Sequence, residues 1–205
     1  MTHVTSDYAH TARAVAGLVA RIGQDAWDGP SLGEWTLRDL VGHTSRSLVT
    51  VIDYLRRPVE EEAVDSAAGY FVAIAGILGS PDQAAAVTER GRQAGRDLGS
   101  DPDARFAELA EEAVGAATMA DPDLVVHTIA GGMRVEAYLP TRTFELCVHG
   151  LDIAAATELS LDLPEGALAR SAMLAAQVAA ARGRGADVLL ALTGRRGLPD
   201  GFSVV

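Results

Sequence analysis

Apolar residues recur every three or four positions along most of this chain, a spacing typical of helices that pack one face against a core. Residues 3–23 show this spacing first, with Val4, Tyr8, Leu18 and Ile22 on one face. The same spacing predicts further helices, with approximate bounds 36–58, 82–98, 103–119, 140–158 and 165–182.

The second predicted helix carries its own start and stop signals. Thr36 precedes the apolar stripe and Asp39 follows three residues later, which resembles a capping box with Asp in the place of Glu or Gln. An acidic residue in the first turn also suits the helix dipole. Pro58 marks the end of the helix.

Three segments depart from helical spacing. Residues 59–80 are acidic and then apolar, and we predict a crossing segment with a short helix there. Residues 124–139 place β-branched side chains around a Gly-Gly pair, which predicts either a small hairpin or an irregular turn before a helix. Pro140 then suits the first turn of that helix, or a kink. Residues 183–205 form an apolar tail rich in turn residues.

These elements predict an all-α protein, most economically a four-helix bundle with short additional helices. Apolar residues make up 48% of the chain, alanine dominates among them, and aromatic residues are few. Helices that pack closely through small side chains are therefore favoured over sheets. We expect one domain over residues 1–205, with the bundle in 1–182 and the tail in 183–205, and the alanine-rich helices could support a homodimer.

Charge and cysteine content narrow the class of protein. The formal net charge is −11 and no clustered basic face offsets it, so nucleic acid is not an expected partner. No run of about 18 apolar residues occurs, and the N-terminus lacks the pattern of a signal peptide, so we expect no membrane partner. Cys147 is the only cysteine, which excludes an internal disulfide and favours a cytoplasmic location.

The stretch RTFELCVHGLDIA, residues 142–154, contains the first candidate for chemistry. Glu145 and His149 are four residues apart on a predicted helix, so their side chains share a face among apolar neighbours. The residues alone leave two interpretations open. The pair is either a solvated ion pair on the helix surface or a pair of ligands that points inward.

His43 offers a third ligand from another helix. At 100° per residue it falls within about 60° of the apolar Leu40, so it leans toward the interior. Two imidazoles and one carboxylate from two helices can supply three first-row metal ligands in a bundle, with coordination positions left for water or substrate. The alternative is a partly buried histidine with an ordinary hydrogen-bond partner.

The remaining thiol and histidines are weaker candidates. Cys147 lies two residues from both Glu145 and His149, so it points to the opposite side, and we interpret it as a small core residue. We interpret His10 as exposed to solvent. His3 lies at the N-terminus, and His127 has no clear partner.

Two of these segments resemble a known family. EWTLRDLVGHT, residues 34–44, and RTFELCVHGLDIA, residues 142–154, are similar to the W-T-x-x-D-L-x-x-H and E-x-x-x-H-x-x-D signatures of the mycothiol-dependent maleylpyruvate isomerase group, within the DinB-like metal-binding superfamily. LLALTGRRGLPDGFSV, residues 189–204, resembles a tail often seen in this group. The resemblance implies a DinB-like four-helix bundle.

The resemblance also assigns roles to individual residues. It implies that His43, Glu145 and His149 hold a divalent metal of zinc type, although nickel or iron would suit the same ligands. Asp152 matches the aspartate of the motif, where it either orients a ligand by hydrogen bonding or makes a structural contact. Arg142 matches a frequent arginine of the group, and we expect it to pair with Glu145 or another carboxylate rather than with an anionic substrate.

Two further features qualify the resemblance. Trp35 matches the tryptophan of the first motif, and we interpret it as a core anchor before the helix. The isomerases proper append a second domain that helps to form the active site, whereas the segment after His149 is short here. We therefore expect the chain to resemble the single-domain relatives more closely than the isomerases proper.

The resulting functional hypothesis is a metal-dependent thiol transferase or isomerase of an actinobacterial, cytoplasmic type. Mycothiol would be the co-substrate, and the metal would stabilise its thiolate for attack on a small electrophilic molecule. A hydrolase or cyclase of secondary metabolism that uses the same metal is the alternative enzyme. A non-catalytic metal-binding or ligand-binding protein is the alternative outside enzymes.

Overall fold

The computed structural model describes residues 2–78 and 81–204. Within them, the helices are α1 (His3–Val19), α2 (Leu37–Leu55), α3 (Ala67–Leu78), α4 (Pro81–Asp97), α5 (Pro102–Met119), α6 (Val135–Thr157), α7 (Glu165–Ala181) and α8 (Gly185–Leu192). The strands β1 (Val125–Thr128) and β2 (Gly131–Arg134) form an antiparallel hairpin, and a short 3-10 helix covers Gln24–Ala26. The prediction of an all-α fold with one small hairpin is confirmed.

The bundle consists of α1, α2, α5 and α6. Helices α1 and α2 both pack against α5 and against α6, while α4 covers α2, and α7 lies against α3 and α6. The fully buried side chains at the centre come from all four bundle helices and include Leu18, Leu48, Phe106 and Leu146. Among the described residues, no helix is both long enough and apolar enough to span a bilayer.

The predicted start of α2 is confirmed in detail. The Thr36 hydroxyl accepts a hydrogen bond from the backbone N–H of Asp39 at 3.2 Å, and the Asp39 carboxylate accepts one from the N–H of Thr36 at 3.1 Å. This reciprocal capping box satisfies two N–H groups that would otherwise lack partners. The helix therefore begins at a fixed residue, six positions before His43.

Helix α6 begins earlier than the sequence pattern predicts. It starts at Val135, directly after β2, so Pro140 lies inside the helix and the prediction that Pro140 occupies its first turn is wrong. The hairpin connection explains the early start. The N–H groups of Val135 and Glu136 donate to the carbonyls of Leu124 and Pro122, at 2.9 and 3.0 Å, and thereby cap the helix.

The predicted tail contains more structure than expected. Residues 185–192 form α8, and the chain then returns to the end of α7. There the Arg182 guanidinium donates to the carbonyl of Val204 at 2.7 Å, and the Arg184 guanidinium lies 4.7 Å from the centre of the Phe202 ring. The division into a bundle in 1–182 and a tail in 183–205 stays a prediction.

Helices α2 and α4 meet at two glycines. A Cβ on Gly42 would lie 2.1 Å from the backbone nitrogen of Gly95 and 2.4 Å from its Cα, so no side chain fits there. A Cβ on Gly95 would lie 2.9 Å from the carbonyl oxygen of Arg38. The two backbones are therefore in direct contact one residue before His43.

This contact predicts a large cost for Gly42→Ala. Because backbone atoms cannot move aside as a flexible side chain can, we expect a loss of unfolding free energy on the order of 3 kcal/mol, measured by urea denaturation. Gly115→Ala is the matched control, since Gly115 is exposed in α5 and a Cβ there meets nothing within 4 Å. It should be neutral or stabilise by up to about 1 kcal/mol. Equal effects of the two substitutions would contradict the close approach.

Candidate metal centre

The three predicted ligands meet at one point between α2 and α6. One ligand atom each from His43, Glu145 and His149 lies within 4.8 Å of the other two. His43 comes from the first half of α2, and the other two residues are one turn apart on α6. The inward interpretation of the Glu145–His149 pair therefore agrees with the structure, in which both side chains are largely buried, 20% and 14% exposed.

His149 is held on both sides of its ring. Its Nε2 lies 3.1 Å from a carboxylate oxygen of Glu145, and its Nδ1 lies 3.1 Å from a carboxylate oxygen of Asp152. Asp152 is one turn further along α6, so the helix itself sets both contacts. A carboxylate on the outer nitrogen of a histidine fixes the ring and its tautomer, which is how metal ligands are commonly supported.

His43 has aromatic neighbours on two sides. Its ring centre lies 4.7 Å from that of Trp35 and 4.9 Å, edge-on, from that of His149. The Trp35 indole N–H donates to the carbonyl of Thr88 on α4 at 3.2 Å. Trp35 was predicted to be a core anchor before the helix, and it is a partly buried residue that packs against the core and joins the start of α2 to α4. Its ring also lies against the imidazole of His43.

The titration of the three side chains follows from these contacts. Burial, and then the charge of His149, lower the pKa of His43 to about 4. Burial also lowers the pKa of His149, but the hydrogen bonds to Asp152 and Glu145 outweigh it and raise the value to about 9. Burial raises the pKa of Glu145, yet the hydrogen bond from His149 and the charge of Arg142 outweigh it, so the net shift is downward. At neutral pH His43 is neutral and Glu145 is ionised.

These residues fit a divalent metal on two observations. The Nδ1 atom of His43 is buried without a hydrogen-bond partner, an arrangement that is costly unless something else binds the imidazole. The donor set of two imidazoles and one carboxylate is one that zinc and other first-row ions accept. His43, Glu145 and His149 would hold the ion, and Asp152 would orient His149.

A cavity of about 550 Å³ opens beside the three residues. Arg142 lines it, buried to 8% exposure, with its guanidinium 5.2 and 5.3 Å from the ring centres of Tyr70 and Tyr138. Within the described part of the chain, no carboxylate oxygen lies within 4.0 Å of this guanidinium. The expected contact ion pair with Glu145 is thus replaced by packing on tyrosine rings, and the charge of Glu145 acts from further away.

Cys147 lies on the opposite side of α6. Its thiol is buried on the side of the helix that faces α1 and α7, and it does not line the cavity. Burial raises the pKa of this thiol, so it stays protonated at neutral pH. The structure agrees with its interpretation as a core residue.

Sequence reasoning missed several residues of the cavity. Arg46 and Tyr54 of α2, Tyr70 of α3 and Arg90 of α4 all line it. Arg46 could have been found, because it lies three residues after His43 and therefore on the same helix face. The others carry no such signal, since their elements reach the cavity only through tertiary packing.

A family model matches most of the chain. The model described as the mycothiol maleylpyruvate isomerase N-terminal domain matches residues 8–154, which include all three candidate ligands and end after Asp152. Searches of the curated proteins and of the solved structures returned no match.

The Asp152 contact predicts a measurable effect on metal affinity. Asp152→Asn keeps the size of the side chain but removes the charge that orients His149, so we expect zinc affinity to fall by about tenfold or more, measured by competition with a chromogenic chelator. Asp162→Asn, at an exposed position after α6, is the control and should leave affinity unchanged. Unchanged zinc affinity in Asp152→Asn would mean that the contact between Asp152 and His149 is structural and does not support metal binding.

Proposed function

We propose that this chain, which belongs to the mycothiol maleylpyruvate isomerase N-terminal domain family, is a metal-dependent enzyme that activates a low-molecular-weight thiol. The thiol is mycothiol by family membership, the metal is of zinc type, and the reaction is transfer of the thiol to a small electrophilic substrate or isomerisation of that substrate. A small-molecule substrate and the thiol are its partners in this proposal.

The convergence of His43, Glu145 and His149 beside the large cavity is the observation that carries the proposal. Three protein ligands leave coordination positions for another molecule, which is the arrangement of catalytic rather than structural metal sites. A divalent metal held there would stabilise a thiolate at neutral pH. The cavity beside it, about 550 Å³, is large enough for a small substrate.

The residues of the chain have distinct tasks in this scheme. Asp152 orients the ring of His149 through Nδ1, which leaves Nε2 and the Glu145 carboxylate to bind the metal, and Trp35 orients the ring of His43. Arg142 brings a positive charge to the cavity wall, where it favours negative charge that develops on sulfur or on substrate oxygen. Burial raises the pKa of Tyr70, so its hydroxyl stays protonated and able to donate a hydrogen bond into the cavity.

Metal content tests the site directly. Protein equilibrated with zinc and then dialysed should hold close to one ion per chain by mass spectrometry, and His43→Ala and His149→Ala should each lose most of it, because two remaining ligands bind far more weakly. His10→Ala, at an exposed position in α1, should retain the metal. A wild-type protein that holds no zinc at neutral pH would overturn the metal centre.

Thiol consumption tests the reaction, and the single cysteine supplies a control. We expect zinc-loaded protein to accelerate the reaction of mycothiol with a chlorinated bimane, followed by fluorescence of the product. Cys147→Ser should keep both metal content and rate, because the thiol of Cys147 lies on the far side of α6, away from the candidate ligands and the cavity.

The outcomes separate the alternatives. Loss of the reaction in Cys147→Ser at unchanged metal content would show that the protein uses its own thiol and would contradict the proposal. Metal binding without any thiol turnover would contradict the enzymatic part and leave a binding protein.

A further inference from the structure

Three helices, α3, α7 and α8, form an outer layer on one side of the bundle. Helix α7 packs against both α3 and α8, and α3 and α7 also pack against α6. Within the described part of the chain twelve large apolar side chains are exposed, and the outer layer holds half of them. The six are Val72 and Ile77 of α3, Leu168 and Met173 of α7, and Leu189 and Leu192 of α8.

Two helices of the outer layer are more apolar than exposed helices normally are. Helix α3 contains no charged residue, and it is apolar on both sides, since Phe71 lines the cavity while Val72 and Ile77 are exposed. Six of the eight residues of α8 are apolar, yet none of them is buried. Helices that are apolar all round are normally covered, and an exposed apolar surface of this kind marks an interaction site.

The outer layer also carries little charge. Charged residues make up 22% of the chain, but α3, α7 and α8, with 12, 17 and 8 residues, contain only Glu165, Arg170 and Asp187. Arg170 is paired with Asp7, and Asp187 is paired with arginines of its own segment. The whole chain has a net charge of −11, so two copies repel each other when acidic faces meet. Through the outer layer two copies can approach without placing like charges opposite one another.

We infer that the outer layer joins two copies of this chain in a homodimer with two-fold symmetry. In such a dimer the same surface of each copy meets the other. Helix α7, which contacts both other helices of the layer, would lie nearest the symmetry axis. The inference goes beyond the proposed function and uses neither the metal centre nor the thiol.

The size of the outer layer suits a dimer. Helices of 12, 17 and 8 residues that are each about 10 Å wide cover roughly 550 Å² in projection. The accessible area is larger because side chains project from this surface, and a standard stable interface buries about 800 Å² on each partner. A cavity of about 280 Å³, lined by Ala67 of α3 and by Met173 and Leu174 of α7, gives the layer a depression of the kind that interface anchors fill.

A membrane surface fits the outer layer less well than a second copy does. Helices that lie on a membrane combine an apolar face with lysines and arginines that bind anionic headgroups. Arg170 is the only basic residue of the three helices, and it is paired with Asp7. The acidic chain would also be repelled by the negative surface of a bilayer. Charge therefore favours a second copy as the occupant.

Sedimentation equilibrium tests the dimer. At about 10 µM, wild-type protein should have twice the chain mass of 21.3 kDa, since interfaces of standard size bind with micromolar or tighter affinity. Met173→Glu and Leu189→Glu should each weaken the dimer at least tenfold, because each places one unpaired carboxylate per copy in the interface. Met119→Glu is the matched control and should leave association unchanged, since Met119 is 86% exposed at the end of α5, outside the outer layer.

The outcomes decide between a second copy and other occupants. Circular dichroism of each variant establishes that it is folded, which the exposure of both substituted residues favours. Wild-type protein that stays monomeric up to about 100 µM overturns the inference, as does a dimer that is insensitive to both glutamate variants of the layer. Binding of monomeric wild-type protein to phosphatidylcholine and phosphatidylserine vesicles, lost in Met173→Glu, would assign the layer to a membrane instead. Dimerisation of zinc-free protein that is weakened by these variants supports the inference even if the metal and thiol tests fail.

Discussion

Helix α2 is packed on three sides, against α4, α5 and α6, and the geometry of the candidate metal centre depends on how tightly α2 is held there. On one side Gly42 places its backbone in contact with that of Gly95 in α4. On the other, the next residue, His43, turns its ring edge-on to that of His149 in α6. A side chain at the glycine contact would push α2 away from α4 and displace His43. The contact between Gly42 and Gly95 therefore helps to position His43 as a candidate metal ligand.

Four polar residues of α6 form a single stripe. Arg142, Glu145, His149 and Asp152 follow one another at intervals of three, four and three residues, so they lie on one face of the helix. Burying several charged groups together is seldom the most stable choice, since apolar residues of similar size often stabilise a protein as well or better. When a protein departs from the usual rules of core packing, the departure is often at a functional site. Here the largely buried polar stripe of α6 lies beside the cavity.

Much of this arrangement was predictable because its signals are local. The capping box of Thr36 and Asp39 fixes the start of α2, and the four-residue interval in α6 places Glu145 and His149 on one face. The early start of α6 was not predictable in the same way, since it depends on carbonyls at positions 122 and 124 that the hairpin brings to its first turn.

The walls of the cavity were the least predictable part. Tyr70 and Arg90 reach it from α3 and α4, whose orientation depends on contacts far apart in sequence. The periodicity of a helix shows which residues share a face, but it does not show which neighbour that face meets. For the same reason the contact of Arg142 with Tyr70 of α3 was not predictable. Its contact with Tyr138 is local, because Tyr138 lies four residues earlier on the same helix.

The charge of the cavity bears on how a bound thiol would lose its proton. Neither His43, whose pKa is about 4, nor the ionised Glu145, whose pKa is below its usual value, is a strong base at neutral pH. A thiol that binds a metal held by His43, Glu145 and His149 would instead lose its proton to solvent, because the metal would stabilise the thiolate. Arg142, whose guanidinium lines the same cavity, would add to this effect. The positive charge of the site would thus activate the thiol without a dedicated general base.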